Sequence, residues 1–119
     1  MERQDLEHFL LTLKGAGSSY PFGPDVLVFK VMGKMFALTS AHEGVPNVTL
    51  KCIPFDGEIL AEQFEAIAPG YHMNKRHWIT ISLTGEISAA MLQDLASKSY
   101  ELVVKKLTKA QKLELAKQT

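Results

Sequence analysis

Apolar and polar residues follow two periods along the chain, and each period predicts one kind of secondary structure. In residues 3–14 the apolar side chains recur at intervals of three and four, which is typical of an amphipathic helix. Acidic residues lie near the start of this segment, where they interact favourably with the helix dipole. Glycine and serine then dominate residues 15–19, and this composition predicts a turn.

A β-hairpin is predicted next. Branched and aromatic side chains lie on both sides of Gly33 and Lys34, as expected for paired strands over 26–32 and 35–40. Glycine followed by a polar residue favours a type II′ turn between these two strands.

Two further strands and two further helices are predicted after the hairpin. Residues 47–53 alternate and predict a third strand, with Cys52 on its buried side. Apolar residues at helical spacing predict a second helix over 55–67, and 77–83 alternate again as a fourth strand. Ser88 is a plausible N-cap for a long final helix.

The predicted element order is therefore α-β-β-β-α-β-α, and the predicted fold class is α+β. Strands with one apolar and one polar face suit an antiparallel sheet with helices packed on one face. The other face would then meet water or a partner. We expect a single domain over residues 1–119, in which 108–119 form a basic helical tail exposed to solvent.

Composition adds a charge asymmetry to this picture. The 119 residues are 46% apolar and 22% charged, which is ordinary for a globular protein. Neither a long apolar run nor a charged leader is present, so we expect a cytoplasmic protein without a membrane partner. The net charge is zero, but residues 1–70 carry five basic and nine acidic side chains, and residues 71–119 carry eight and four. The two halves are thus −4 and +4, which is compatible with a local basic surface.

The sequence predicts neither an enzyme nor a metal or cofactor site. His72 and His77 are five residues apart, a spacing that fits neither a helical nor a strand pair of metal ligands. The patterns of a nucleophile elbow and of a phosphate-binding loop are absent. The lone Cys52 faces inward by alternation, which is more typical of packing than of catalysis.

One short stretch, PGYHMNKRHWITI at 69–81, concentrates cationic and aromatic residues. If Ile79 and Ile81 face the core, alternation sends Trp78 to the opposite face. Lys75 and Arg76 beside an exposed ring would suit a nucleic-acid or anionic ligand, because phosphates meet the charges and a base stacks on the ring. The residues alone favour a structural reading over this one, in which Trp78 closes the sheet edge and the cations lie over its ring.

Four segments together resemble the MmcQ/YjbR family of small bacterial proteins: VFKVMGKMFAL (28–38), VTLKC (48–52), PGYHMNKRHWITI (69–81) and SYELVVKKL (99–107). The resemblance implies an α+β fold like that of frataxin and CyaY, described in this family as a double wing. It also implies the label of a predicted DNA-binding protein with no established enzymatic activity. The characteristic positions of the family correspond here to Lys34, Phe36, Lys51, His72, Asn74, Lys75, His77, Trp78, Ser99 and Tyr100.

These observations lead to one main hypothesis and two alternatives. The main hypothesis is non-enzymatic DNA binding, with phosphates on the cations and a stacking or wedge role for the indole. Its residues are Lys34, Lys51, Lys75, Arg76, His77 and Trp78. The first alternative is a protein-interaction or small-anion-binding module that uses the 72–78 cluster, with a pocket formed by His72, Asn74 and Tyr100. The second is a purely structural cluster at the entry of the fourth strand.

Overall fold

A computed structural model describes residues 1–70, 74 and 76–118 of the chain. This part of the chain contains four helices and six strands. In chain order they are α1 (Arg3–Thr12), β1 (Ala16–Ser19), β2 (Leu27–Val31), β3 (Lys34–His42), β4 (Val45–Lys51), α2 (Pro54–Gln63), β5 (Ile67–Pro69), β6 (Trp78–Ser82), α3 (Ala89–Lys105) and α4 (Lys109–Ala116).

The strands form one sheet in the order β1-β2-β3-β4-β6-β5, and every neighbouring pair is antiparallel. The α+β class is confirmed, but the predicted element order lacked two strands. β1 consists of small residues that predicted a turn, and β5 is only three residues long and ends in Pro69. Both are edge strands, defined by their pairing with β2 and β6 rather than by a side-chain pattern.

The helices pack against one face of the sheet, as predicted. Phe29, Leu50 and Ile79 point from the strands into the core, where they are almost fully buried. Each helix adds at least one apolar side chain that lies in this core or packs against it. These side chains are Leu6 and Leu10 from α1, Leu60 from α2, Leu92 and Val103 from α3, and Leu115 from α4. The opposite face, called the open face here, carries Thr49 and Thr80, whose hydroxyl oxygens lie 3.0 Å apart in a hydrogen bond.

The turn of the first hairpin differs from the predicted one. Met32 and Gly33 occupy its two central positions, and both have positive φ, 49° and 77°. Two positive φ values define a type I′ turn, so the predicted type II′ turn at Gly33-Lys34 is wrong by one residue and in type. Glu43 and Gly44 make a second turn of the same kind between β3 and β4. Both turns match the twist of the strands that they join.

The predicted long final helix is divided into α3 and α4. Ser88 caps α3 as predicted, since its side chain accepts a hydrogen bond from the backbone N–H of Met91. The chain leaves the helix after Lys105, and Thr108 begins α4 with a capping box that involves Gln111. Leu115 of α4 is buried in the core, so residues 108–119 are not the purely solvated tail that we expected.

α1 is attached to the sheet by polar contacts as well as by apolar packing. Its Glu7 carboxylate accepts a hydrogen bond from the buried hydroxyl of Thr39 on β3. The same carboxylate pairs with the guanidinium of Arg3, at 3.1 Å from Nε. These contacts attach the start of the helix to β3. Within the described chain, no helix combines the length and apolarity needed to cross a bilayer.

Candidate nucleic-acid interface

Three of the predicted phosphate-binding residues lie at one end of the sheet, where β3 begins and β4 ends. Lys34 is the first residue of β3, and Lys51 is the last of β4. Lys51 pairs with Trp78, the first residue of β6, so Arg76 lies just beyond the same end. β3 and β6 are two strand spacings apart, about 10 Å, so the three residues lie at the same end of the sheet. Lys51 leaves the sheet on the open face with its partner Trp78, and Lys34 leaves it on the helix face with its partner Val31.

The C-terminal end of α3 brings two more lysines to this end of the molecule. At the far end of the sheet, the Glu86 carboxylate just before α3 accepts a hydrogen bond from the backbone N–H of Ala66, at 3.0 Å. Ser99, further along α3, already contacts the end of β4. The helix therefore runs toward the cations, and Lys105 and Lys106 lie beyond Ser99. We call this surface the basic end, defined by Lys34, Lys51, Arg76, Lys105 and Lys106.

Ser99 holds α3 against the two strands that carry Lys34 and Lys51. Its hydroxyl is fully buried and donates to the backbone carbonyl of Phe36 at 2.5 Å. The same oxygen accepts from the backbone N–H of Lys51 at 2.8 Å. Phe36 is the extra residue of a bulge, because Phe29 pairs with Ala37 while the next residue of β2 pairs with Met35. The hydroxyl thus satisfies backbone groups at the strand ends that support the basic end.

The prediction for Trp78 is correct in direction but wrong in exposure. Alternation and register put its side chain on the open face, on the same side as Thr80 and opposite Ile79. The residue is nevertheless only 8% exposed. Gly70 approaches it closely, since a Cβ built on this glycine would lie 2.9 Å from the Cβ of Trp78. A ring that is already buried offers no free surface on which a base could stack.

The turn before β6 exposes Arg76 and His77. The Asn74 side-chain oxygen accepts a hydrogen bond from the backbone N–H of Arg76, and its backbone oxygen accepts one from His77, both at 3.0 Å. Asparagine favours such turns because its side chain can bond to nearby backbone groups. The Arg76 and His77 side chains are exposed. His72 and Lys75, which we also predicted as site residues, lie outside the described residues.

Tyr100 does not join Asn74 in a pocket as the first alternative expected. Its hydroxyl donates to the backbone carbonyl of Lys14 beside β1, at 2.5 Å, and its ring packs edge-on against Phe36. Burial raises the pKa of this phenol. Asn74 precedes β6, which is four strand spacings, about 19 Å, from β1. Tyr100 therefore joins the α1–β1 connection to the core, and the predicted pocket is wrong in this respect.

A cleft that the sequence did not predict lies between α2 and α3, on the helix side of the sheet. Its volume is about 580 Å³. The floor and walls are apolar and come from the sheet and from both helices: Leu50, Cys52, Ile79, Leu60, Leu95 and Leu102. Among the described residues, the rim carries three cationic and three anionic side chains: Lys51, Lys98 and Lys105 with Asp56, Asp94 and Glu101. No local sequence motif predicts this cleft, because it is a gap between two helices that belong to separate segments of the chain.

Cys52 lines this cleft, and its thiol has low reactivity. Burial, together with the smaller effect of the nearby Asp56 carboxylate, raises its pKa to about 11. Thiols react as thiolates, so Cys52 is a poor nucleophile at neutral pH. Its position fits packing: a Cβ on Gly57 of α2 would lie 2.8 Å from its sulfur.

Metal ligation finds no support in the described part of the chain. No group of three or more histidine, cysteine, aspartate or glutamate side chains comes together there in a way that could hold an ion. The lysine and arginine side chains of the basic end bind anions by charge and by hydrogen bonds.

A family model described as YjbR matches residues 11–102. The chain belongs to the YjbR family. This range includes every strand, α2 and most of α3. The family match therefore spans the sheet and three of the five residues of the basic end, and it excludes Lys105 and Lys106.

Individual YjbR relatives agree with this assignment. The chain is 42% identical to the uncharacterized protein YbdF of Escherichia coli, over 92% of this chain and 93% of that protein. It is 30% identical to the uncharacterized protein YjbR of Escherichia coli, over 87% and 88% of the two chains. A crystal structure of a Deinococcus radiodurans protein with a DUF419 domain superposes with a TM-score of 0.86 at 40% identity, covering 95% of this chain and 86% of the other. The fold is thus that of the YjbR family.

Proposed function

We propose that this YjbR protein binds DNA without catalysing a reaction, and that the basic end contacts the phosphate backbone. The observation that carries the proposal is the convergence of cations from four separate elements: the start of β3, the end of β4, the turn before β6 and the end of α3. Clustered lysine and arginine side chains release counterions from DNA when they meet phosphates, which favours binding.

The burial of Trp78 defines the mode of binding. Because Trp78 is only 8% exposed in the free protein, its indole is not accessible to bases, and the proposed contacts are to phosphates. Phosphate contacts position a protein on the duplex but carry no sequence information directly. The proposed complex is therefore sequence-independent and sensitive to salt, and duplexes of different sequence bind with similar affinity.

Fluorescence anisotropy of a labelled 20-base-pair duplex tests this proposal over a range of potassium chloride concentrations. If about four of the cations contact phosphates, the logarithm of the association constant falls against the logarithm of salt with a slope of about −3.6. Replacing Arg76 by glutamine removes one contact and makes the slope shallower by about 1. Binding that is absent at 50 mM salt, or independent of salt, contradicts the proposal.

Arg3→Gln is the matched control. It makes the same change of charge and residue type at the N-terminal end of α1, away from the basic end. Arg3 already pairs with Glu7, and it lies beside Thr39 rather than at the basic end. We expect the salt slope of Arg3→Gln to equal that of the unaltered protein. An equal effect of both variants would mean that only the net charge matters and would reject a localised interface.

Intrinsic fluorescence adds an independent check, since Trp78 is the only tryptophan. A stacking platform would lose emission when DNA binds, whereas phosphate contacts by neighbouring cations leave a buried indole unchanged. We expect emission to stay constant during a titration in which anisotropy of the labelled duplex rises. Strong quenching would show that the ring leaves its buried position and would contradict contacts to phosphates alone.

A further inference from the structure

The cleft between α2 and α3 has the dimensions of a small-molecule site. Ligand pockets are typically about 300–1,000 Å³, mostly apolar, with a few polar groups that fix orientation, and this cleft measures about 580 Å³. It follows α3 from Met91 to Lys105, a distance of about 21 Å at 1.5 Å per residue. It is a site separate from the phosphate contacts proposed above, although Lys51 and Lys105 border both.

Apolar and charged groups are segregated along the cleft. Since α2 begins near the end of β4 and runs toward β5, Ile59 and Leu60 lie further from the basic end than Asp56. On the α3 wall, Met91 and Leu95 lie at the same apolar end. A ligand that fits both halves has an apolar body and a charged head that points toward the basic end.

The charges around the head position have both signs. Lys105 belongs to the α3 wall, and Asp56 belongs to the α2 wall across the cleft. The Asp56 carboxylate is close enough to the floor for its charge to raise the pKa of Cys52. Lys98 and Asp94 form an exposed pair with each other at 3.1 Å. A rim with equal numbers of cationic and anionic residues disfavours a ligand with a large net charge of either sign.

We propose that this cleft binds a small zwitterion with an apolar body, of the class of apolar α-amino acids. The ligand carboxylate meets Lys105, the ammonium group meets Asp56, and the aliphatic or aromatic body lies on Ile79 and Leu95. Such a ligand satisfies both signs of charge and buries the apolar floor, which neither a simple anion nor a simple cation does.

Three probes with a similar eight-carbon body separate these possibilities: 2-aminooctanoate, octanoate and octylamine. Calorimetry at pH 7 measures their affinities for the 119-residue protein, and NMR of the 15N-labelled protein locates where they bind. We expect 2-aminooctanoate to bind about tenfold more tightly than either of the others, because it alone makes charged hydrogen bonds on both walls. Its shifts should be confined to residues that line the cleft.

Two variants assign the two walls. Asp56→Asn should lower the affinity for 2-aminooctanoate and octylamine about tenfold and leave the affinity for octanoate unchanged. Lys105→Gln should lower the affinity for 2-aminooctanoate and octanoate and leave the affinity for octylamine unchanged. Asp25→Asn, the same change at an exposed position outside the cleft, should leave all three affinities unchanged. The proposal is overturned if no probe binds, if octanoate or octylamine matches 2-aminooctanoate, or if the shifts lie outside the cleft. Because the DNA test uses Arg76→Gln, either proposal can fail without the other.

Discussion

At the scale of single residues, Ser99 makes the most consequential contact near the basic end. Its buried hydroxyl bonds both the Phe36 carbonyl and the Lys51 N–H. Ser99→Ala leaves two backbone groups without that partner, so we expect a loss of about 2–3 kcal/mol in the free energy of unfolding. Denaturant titration measures this loss. Ser97→Ala on the same helix is the control, because the described chain shows no side-chain hydrogen bond from Ser97, and an equal loss in both variants would refute this role of Ser99.

Trp78 is expected to stabilise the fold. Truncating a buried tryptophan to alanine costs about 3–5 kcal/mol through lost burial and the cavity left behind. We expect Trp78→Ala to lower the free energy of unfolding by that amount in thermal or denaturant unfolding. Tyr20→Ala removes an aromatic ring that is 55% exposed and should cost far less. An unchanged free energy of unfolding in Trp78→Ala would mean that the ring is not packed as described.

Cys52 gives a pH-dependent readout of the cleft. Its pKa of about 11 means that alkylation by iodoacetamide, followed by mass spectrometry, should accelerate steadily from pH 8 toward pH 11. Asp56→Asn removes the charge that helps to raise this pKa, so alkylation at pH 8 should be faster than in the unaltered protein. Asp94→Asn serves as the matched control. No difference between these two variants would show that the Asp56 charge does not reach the thiol.

The same pKa affects stability in a defined direction. A thiol whose pKa is raised in the folded state favours folding while it is protonated, below the ordinary cysteine pKa of 9.0. As the pH rises from 9.0 to about 11, the unfolded chain loses the proton first and the stability falls. Cys52→Ser should flatten this part of a stability curve measured against pH. An unchanged curve would assign the loss to other groups.

The residue scale also shows where sequence reasoning reaches its limit. Alternation gave the correct side of the sheet for Trp78, because a strand has a strict period of two. It could not give the exposure of the ring, since that depends on the segments that pack on the open face. In the same way, Tyr100 was misplaced because the residue that its hydroxyl contacts, Lys14, is 86 residues away along the chain.

At the scale of elements, the division between α3 and α4 was missed although the sequence contains its signal. Apolar spacing continues through Leu107, which is buried, and this continuity favoured one long helix. Thr108 and Gln111, however, have the spacing of a capping box, which marks the start of a helix. β1 and β5 carried no comparable signal, because small residues and a proline do not distinguish an edge strand from a turn.

The capping box makes the start of α4 testable. Thr108→Ala removes the side-chain acceptor for the backbone N–H of Gln111, and the loss of such a cap costs about 1 kcal/mol. We expect this decrease in the free energy of unfolding by denaturant titration, with the same denaturant slope. Thr84→Ala is the control, since this exposed threonine precedes no helix directly. An unchanged free energy of unfolding in Thr108→Ala would imply that the burial of Leu115 alone stabilises α4 against the core.

At the scale of the whole molecule, a chain of zero net charge still concentrates its cations. The excess of basic residues after position 70 was visible in the sequence, but its spatial consequence was not. Lys34 and Lys51 belong to the acidic half, and only the sheet register brings them to the same end as Arg76 and the end of α3. The basic end is therefore a product of the fold and not of a basic segment.

The most direct test of the account is an NMR titration of the 15N-labelled protein with a short DNA duplex at 50 mM salt. We predict shift changes in the amide signals of Lys34, Arg76 and Lys106, and none around Glu43 and Thr84 at the other end of the sheet. Shift changes concentrated at that other end, or no changes at all, would contradict DNA binding through the basic end.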